Sequence, residues 1–215
     1  IIAQRATVSG PNAVTLADGT RLTARYILIA VGARPHVPSC PGHEHGITSN
    51  EAFHLGALPK RILIAGGGYI ANEFARIFNE LRTHVTIINR SDKLLRGYDE
   101  QLRDRLLQIS LTKGIEFKFN AAFNKIVRQA EGSILLDMEG CDDIEADAVL
   151  FATGRIPNVE GLGCSVAGIA VGEKGEIIVD EDSRTNVPSI YAVGDVTNRV
   201  QLTPVAIREG HAFAD

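Results

Sequence analysis

Only three cysteines, Cys40, Cys141 and Cys164, occur in the 215 residues. They lie too far apart for a C-x-x-C motif or a clustered metal site, and their odd number argues against a disulfide framework. Reduced cytosolic thiols are the remaining reading, and no metal is expected. Basic residues are not in excess: 22 Lys plus Arg against 26 Asp plus Glu leave a net charge of −4, which gives no footprint for nucleic acid. No apolar run approaches the roughly 18 residues of a membrane helix. The first residues also lack the charged n-region and apolar core of a signal peptide. A cytoplasmic protein with neither nucleic-acid nor membrane partners is therefore expected. Met138 is the only methionine, so the chain as written has no initiator and is expected to begin mid-protein. With 45% hydrophobic and 22% charged residues, the composition suits one large or two small globular domains.

The most informative segment is 61–73, an apolar run followed by Gly66, Gly67, Gly68 and a helical pattern. Strand, glycine turn and helix in that order form a grip for a dinucleotide pyrophosphate. Gly66 permits the tight turn, Gly68 removes a side chain where backbone must approach phosphate, and small Ala71 lets helix pack on strand. The N–H groups opening the helix then face the anion, aided by the helix dipole. A bare G-x-G-x-x-A arises by chance among 21 glycines, so the alternative is a glycine-rich loop. The context favours the grip, because the periodicity places Ile70, Phe74, Ile77, Phe78 and Leu81 on one face of a helix over 69–82.

The next strand, 84–89, ends about 20 residues after the glycines, where an NAD site carries an acid for the ribose 2′-hydroxyl. Asn89 stands there instead. Arg90 follows directly and Arg96 six residues later, so two guanidiniums can converge on a 2′-phosphate, whose oxygens suit their planar fork of donors. Two solvated surface arginines are the alternative. Their coincidence with the missing acid favours NADP.

Elsewhere, 5–31 reads as a hairpin turning at Ala17-Asp18-Gly19-Thr20, with Tyr26–Val31 as a buried strand. Segment 32–42 carries three prolines, cannot be regular helix or sheet, and reads as a crossover between domains. A helix over Asp99–Lys113, a strand over 115–119, β-runs at 122–129 and 133–138 and a strand over 148–152 follow. Strands alternating with helices imply a parallel sheet, and the late strand run implies a small antiparallel meander over it. Segments 27–35 and 149–157 echo one another as buried strand, Gly, Arg, Pro, as two nucleotide-binding domains of similar plan would. The expected class is α/β, with tandem FAD/NAD(P)-binding Rossmann-like domains and a three-layer ββα arrangement.

Several motifs in order carry a resemblance: the turn 66–71; Asn-Arg-Ser-Asp-Lys-Leu-Leu-Arg-Gly-Tyr-Asp at 89–99; Ala-Thr-Gly-Arg-Ile-Pro-Asn at 152–158; Ser-Ile-Tyr-Ala-Val-Gly-Asp-Val at 189–196; and Leu-Thr-Pro-Val-Ala-Ile at 202–207. Over essentially its whole length the chain resembles the flavoprotein (pyridine nucleotide) disulfide reductases, most closely the glutathione reductases of bacteria and plants. The resemblance implies residues 1–45 and 158–215 as parts of a discontinuous FAD-binding domain and 46–157 as the NADP-binding domain. On the FAD side it implies Asp195 for a ribityl hydroxyl, Gly194 for close passage of the flavin chain, Thr203 at a helix aimed at the flavin ring, and Ala6 near the adenine. A buried aspartate without a partner is costly, which agrees with a ligand hydroxyl there; an Asx-type turn is the alternative. Thr203 as N-cap and Pro204 at the first helical position start a helix through Val205 to Phe213. On the NADP side the resemblance implies Tyr69 over the nicotinamide pocket, Glu73 facing the nicotinamide, Ile70 and Gly154 lining the site, and Gln201 near the nicotinamide, beside Gly66, Gly67, Gly68, Arg90 and Arg96.

Two residues depart from the family pattern. Val31 replaces a threonine, and Asn72 replaces a small apolar residue, which loosens the helix if buried. The FAD fingerprint, the redox C-x-x-x-x-C and the histidine acid/base of such enzymes all lie outside residues 1–215, so no catalytic residue is assigned here. The implied parent is a homodimer that moves electrons from NADPH through FAD and a cysteine pair to glutathione disulfide, and this chain alone is expected to be inactive. Other disulfide reductases (mercuric, trypanothione or dihydrolipoamide type), a ferredoxin-reductase-like flavoenzyme, and a non-catalytic NADP-binding or sensor module remain alternatives.

Overall fold

The computed structural model describes residues 1–140 and 142–215; Cys141 lies outside the described residues. The first elements are β1 (Ala6–Gly10), β2 (Ala13–Leu16), β3 (Arg21–Thr23), β4 (Ile27–Ile29) and β5 (Ala33–Pro35). Then come α1 (Ser49–Ala52), β6 (Arg61–Ala65), α2 (Tyr69–Glu80), β7 (His84–Asn89), α3 (Glu100–Thr112) and β8 (Glu116–Phe119). They are followed by β9 (Phe123–Arg128), β10 (Ile134–Met138), β11 (Ile144–Ala146), β12 (Ala148–Phe151), β13 (Arg155–Pro157), α4 (Cys164–Ala167), β14 (Ile190–Ala192) and α5 (Thr203–Ala214). The chain divides into two units, one formed by Ile1–Arg34 with Arg155–Asp215 and the other by Pro35–Gly154. The first division falls inside the proline-rich crossover.

In the Pro35–Gly154 unit, the strand order β12-β6-β7-β8 makes a wholly parallel four-stranded sheet. Parallel strands covered on both faces read as continuous apolar runs, and Ile62, Leu63, Ile64 and Ala65 are all at most 2% exposed. The pleat sends alternate residues to opposite faces. Ile62 and Ile64 meet Ala71, Phe74, Ala75 and Phe78 of α2, whereas Leu63 and Ala65 meet Ile126, Ile134, Leu136 and Met138 of an antiparallel β11-β10-β9 meander. Meander, parallel sheet and helix are the three expected layers. Burying each of these large side chains contributes about 1.5–3 kcal/mol, so the two faces of β6 dominate this core.

Three details differ from the sequence reading here. The buried stripe of α2 is Ala71, Phe74, Ala75 and Phe78, while Ile77 and Leu81 are about half exposed; a helix with apolar residues on adjacent stripes is turned by the groove it must fill. β11 was not anticipated, and it pairs with β10. Three residues of the crossover do form a short strand, β5, of which Pro35 is the last residue.

In the other unit, β1-β2-β3 is an antiparallel sheet. The turn at 17–20 joins β2 to β3, but a second tight turn after Gly10 splits the first arm into β1 and β2. The segment read as a buried strand over Tyr26–Val31 is shorter. β4 covers Ile27–Ile29, pairs in parallel with β14, and buries only Ile29, with Tyr26 and Val31 exposed. Val8, Ile29, Ile177, Ile190, Ala192 and Val196 form this unit's core.

Candidate nucleotide-binding groove

β6 delivers the chain into Gly66, whose φ of 131° is closed to side-chain-bearing residues and whose absent Cβ would stand 2.2 Å from the Ala152 carbonyl. Its N–H donates to the Ile88 carbonyl at 2.8 Å, which seats the turn between β6 and β7. Gly68 is different: its φ is ordinary and nothing of the chain lies within 4 Å of where a Cβ would be. Gly68 is the N-cap of α2, which carries no side-chain cap. Among the described residues, the Gly68 and Tyr69 N–H groups find no backbone acceptor. An uncapped helix start with a bare backbone wall is a ready anion site.

The opposite wall is the loop that follows β7. Asn89 donates through Nδ2 to Ser91 Oγ and to the Lys93 carbonyl, each at 2.9 Å. The Leu95 N–H donates to the Gly67 carbonyl at 2.8 Å, tying the loop to the glycine turn. Asp99 then ends the loop by capping α3, its Oδ1 accepting from the Gln101 and Leu102 N–H groups. Between the two walls lies an open groove of about 560 Å³. Gly67, Gly68 and Tyr69 face it from one side, and Arg90 and Arg96 from the other. Both arginines are exposed.

Sequence reasoning missed Ser91, Lys93 and Tyr98, which also line the groove. The signal for them was the run of polar and basic residues directly after β7. Lys93 pairs with Glu100, whose carboxylate raises the ammonium above its ordinary value, while Lys93 in turn lowers Glu100. Lys93 is thus partly neutralised, which leaves Arg90 and Arg96 as the groove's main positive charge.

The remaining candidates lie as follows. Ile70 packs against the α2 side of the core, Glu73 is exposed on α2, and Gly154 is exposed beyond β12 with φ 126°. Gln201 belongs to the other unit, where its Nε2 donates to Asn198 Oδ1 at 3.0 Å. In that unit Ala6 is exposed at the start of β1. Gly194 is buried with φ 73°, and its N–H donates to Glu209 Oε2 at 2.7 Å.

Two expectations in this unit need correction. Asp195 is not a partnerless buried carboxylate, because its Oδ2 lies 3.3 Å from Arg155 Nε and its side chain keeps 22% of its exposure. Thr203 does not cap α5. It is the first helical residue, and extended Leu202 is the N-cap, its carbonyl accepting from the Val205 and Ala206 N–H groups. Pro204 is accordingly the second helical residue and not the first, still within the first turn, where a proline leaves no intrahelical hydrogen bond unmade.

Neither described cysteine is an activated thiolate. Burial, with Glu44 nearby, pushes the Cys40 thiol up, and burial does the same to Cys164. Among the described residues no cluster of His, Cys, Asp and Glu could hold a metal ion, and no helix is long and apolar enough to cross a membrane.

Residues 1–210 match the family model described as pyridine nucleotide-disulphide oxidoreductase. A glutathione reductase of Burkholderia cepacia is 49% identical over 211 residues, covering 98% of this chain and 46% of the relative. A trypanothione reductase of Trypanosoma congolense is 42% identical over 215 residues, covering 95% and 44%. The chain therefore spans about half the length of the curated relatives it matches. Among solved structures, the HOCl-induced flavoprotein disulfide reductase RclA from Escherichia coli superposes with a TM-score of 0.91 at 30% identity, over 98% of this chain and 48% of that one.

Proposed function

Because the chain belongs to the pyridine nucleotide-disulphide oxidoreductase family, we propose that its Pro35–Gly154 unit binds NADPH and that the longer protein containing it reduces glutathione disulfide through FAD. The observation that carries the NADPH reading is the uncapped start of α2 facing Arg90 and Arg96 across one groove. The free N–H groups of Gly68 and Tyr69 take the pyrophosphate, and the two guanidiniums take the 2′-phosphate. Tyr69, 41% exposed at the lip of the groove, covers the nicotinamide. These residues fit the cofactor, since Gly68 meets nothing in its own chain and the wall opposite carries an Asn–Arg pair in place of an acid.

On the FAD side, Asp195 keeps accepting capacity beyond its contact with Arg155 and holds a ribityl hydroxyl. The Gly194 N–H is already taken by Glu209, so that glycine contributes its shape and not a hydrogen bond. When bound, the two cofactors supply hydride and electron transfer; the residues of this chain bind and orient them. Glutathione disulfide is favoured as substrate by the 49% identical relative.

Titration of NADPH and NADH into the wild-type chain and the Arg90→Ala/Arg96→Ala variant tests the groove. The wild type should prefer NADPH, and the double variant should lose about 30-fold or more of that preference, as two charge-assisted contacts imply. An unchanged preference in the variant would sink the reading.

A further inference from the structure

The side chain of Asn72, one turn into α2, folds back onto the glycine turn. Its Nδ2 donates to the Gly68 carbonyl at 2.8 Å and to the Gly67 carbonyl at 3.3 Å. The Asn72 N–H also donates to the Gly68 carbonyl at 3.2 Å, and the Leu95 N–H to the Gly67 carbonyl at 2.8 Å. Each carbonyl is therefore held twice, once by the backbone and once by this side chain.

The consequence follows from peptide geometry. In a trans peptide the C=O and the next N–H point in opposite directions, so pinning the Gly67 and Gly68 carbonyls sets the directions of the Gly68 and Tyr69 N–H groups. Those two groups have no backbone acceptor and belong to residues that line the groove. Glycine backbone is otherwise the freest in the chain, and a peptide plane between glycines rotates at little cost. An amide side chain that removes this freedom before the ligand arrives lowers the ordering cost of binding.

We infer that Asn72 is a positioning residue for the pyrophosphate: it aims the Gly68 and Tyr69 N–H groups without touching the ligand. This rests on the reading of the groove as a dinucleotide site. The expected loosening of the helix by a buried polar residue does not arise, because Asn72 is only half-buried and its amide donates to two carbonyls.

The test is calorimetric titration of the full 215-residue chain with NADP+ and with adenosine 2′-monophosphate, alongside thermal melts. The second probe reaches Arg90 and Arg96 but carries no pyrophosphate. Asn72→Leu, nearly the same in shape but unable to donate, should weaken NADP+ about three- to tenfold, the worth of one to two modest hydrogen bonds. It should leave adenosine 2′-monophosphate within about twofold. Asn72→Gln, which keeps the amide on a longer arm, should recover part of the loss. NADP+ affinity unchanged in Asn72→Leu, or a parallel loss of both ligands with a lower melting temperature, overturns the inference and leaves the groove reading standing. A wild-type chain that binds neither probe overturns the groove reading and this inference together.

Discussion

Asn89 fills the space that Gly67 leaves open: a Cβ on Gly67 would stand 2.6 Å from Asn89 Nδ2 and 2.7 Å from its Cγ. Asn89 is not free to swing away, because the same Nδ2 donates to Ser91 Oγ and the Lys93 carbonyl. The residue at the end of β7 is therefore a strut between the glycine turn and the arginine loop. Asn89→Asp would turn a carboxylate onto the Lys93 carbonyl in place of a donor. It should cost about 1–3 kcal/mol and lower NADPH affinity about tenfold without creating a preference for NADH. Melting curves and paired NADPH and NADH titrations check this; an Asp variant that melts like wild type and prefers NADH would contradict it.

Two glycines of the turn, Gly66 and Gly68, have roles that single substitutions distinguish. Gly66→Ala forces a side chain into the left-handed region and against the backbone carbonyl of Ala152, which cannot step aside. A loss of about 3 kcal/mol or outright failure to fold is expected. Gly68→Ala meets no such obstacle and should change stability by less than about 1 kcal/mol, yet reduce NADPH affinity at least about tenfold. Denaturant titration and ligand titration of the two variants check the pair. Gly68→Ala binding NADPH normally would argue that no phosphate approaches that wall.

Arg61 joins the starts of β6 and β12 and makes the Pro35–Gly154 unit acid-sensitive. Its backbone N–H donates to Asp147 Oδ2 at 2.8 Å, and its Nη2 donates to Asp147 Oδ1 at 2.9 Å and Glu145 Oε1 at 3.0 Å. These hydrogen bonds hold the Asp147 and Glu145 carboxyls below their ordinary values of 3.8 and 4.5. Because the folded-state values are depressed, the unfolded chain takes up these protons first as pH falls. The stabilisation is complete above the unfolded values and drains away as pH drops through the folded ones. The melting temperature of this unit should stay level from pH 7 to about 5 and fall below about 4. Asp147→Asn should cost about 0.5–1 kcal/mol at pH 7, because solvent screens a partly exposed pair, and should flatten the acid limb. Wild-type and variant melting temperatures that fall in parallel from pH 5 to 3 would remove Asp147 from the account.

Much of this architecture was legible because its signals are local. The bounds of β7 agree with the reading, and α3 lies between Asp99 and Lys113, because a β-rich apolar run and a capping aspartate declare themselves within a few residues. β11 was missed because Ile144–Ala146 is three residues long, too short for a period, and exists only by pairing with β10. The buried stripe of α2 was misjudged because the helix offers apolar residues on neighbouring faces. Phe74 and Phe78 won over Ile77 and Leu81 only when the helix met Ile62, Ile64 and Val85 on the sheet. Asp195 looked partnerless because Arg155 lies 40 residues earlier, and nothing in the intervening sequence points to their meeting.

The amino-acid order alone determined the strand–turn–helix that starts at Arg61, the absence of an acid at position 89, and the two arginines beyond it, since each depends on chain neighbours and on what backbone a glycine permits. That Arg90 and Arg96 face Gly68 across one groove was decided by tertiary structure. The Leu95 N–H must cross to the Gly67 carbonyl and Asn89 must fill the space beside Gly67, and both contacts join residues more than 20 positions apart, which exist as neighbours only when β6 and β7 lie side by side.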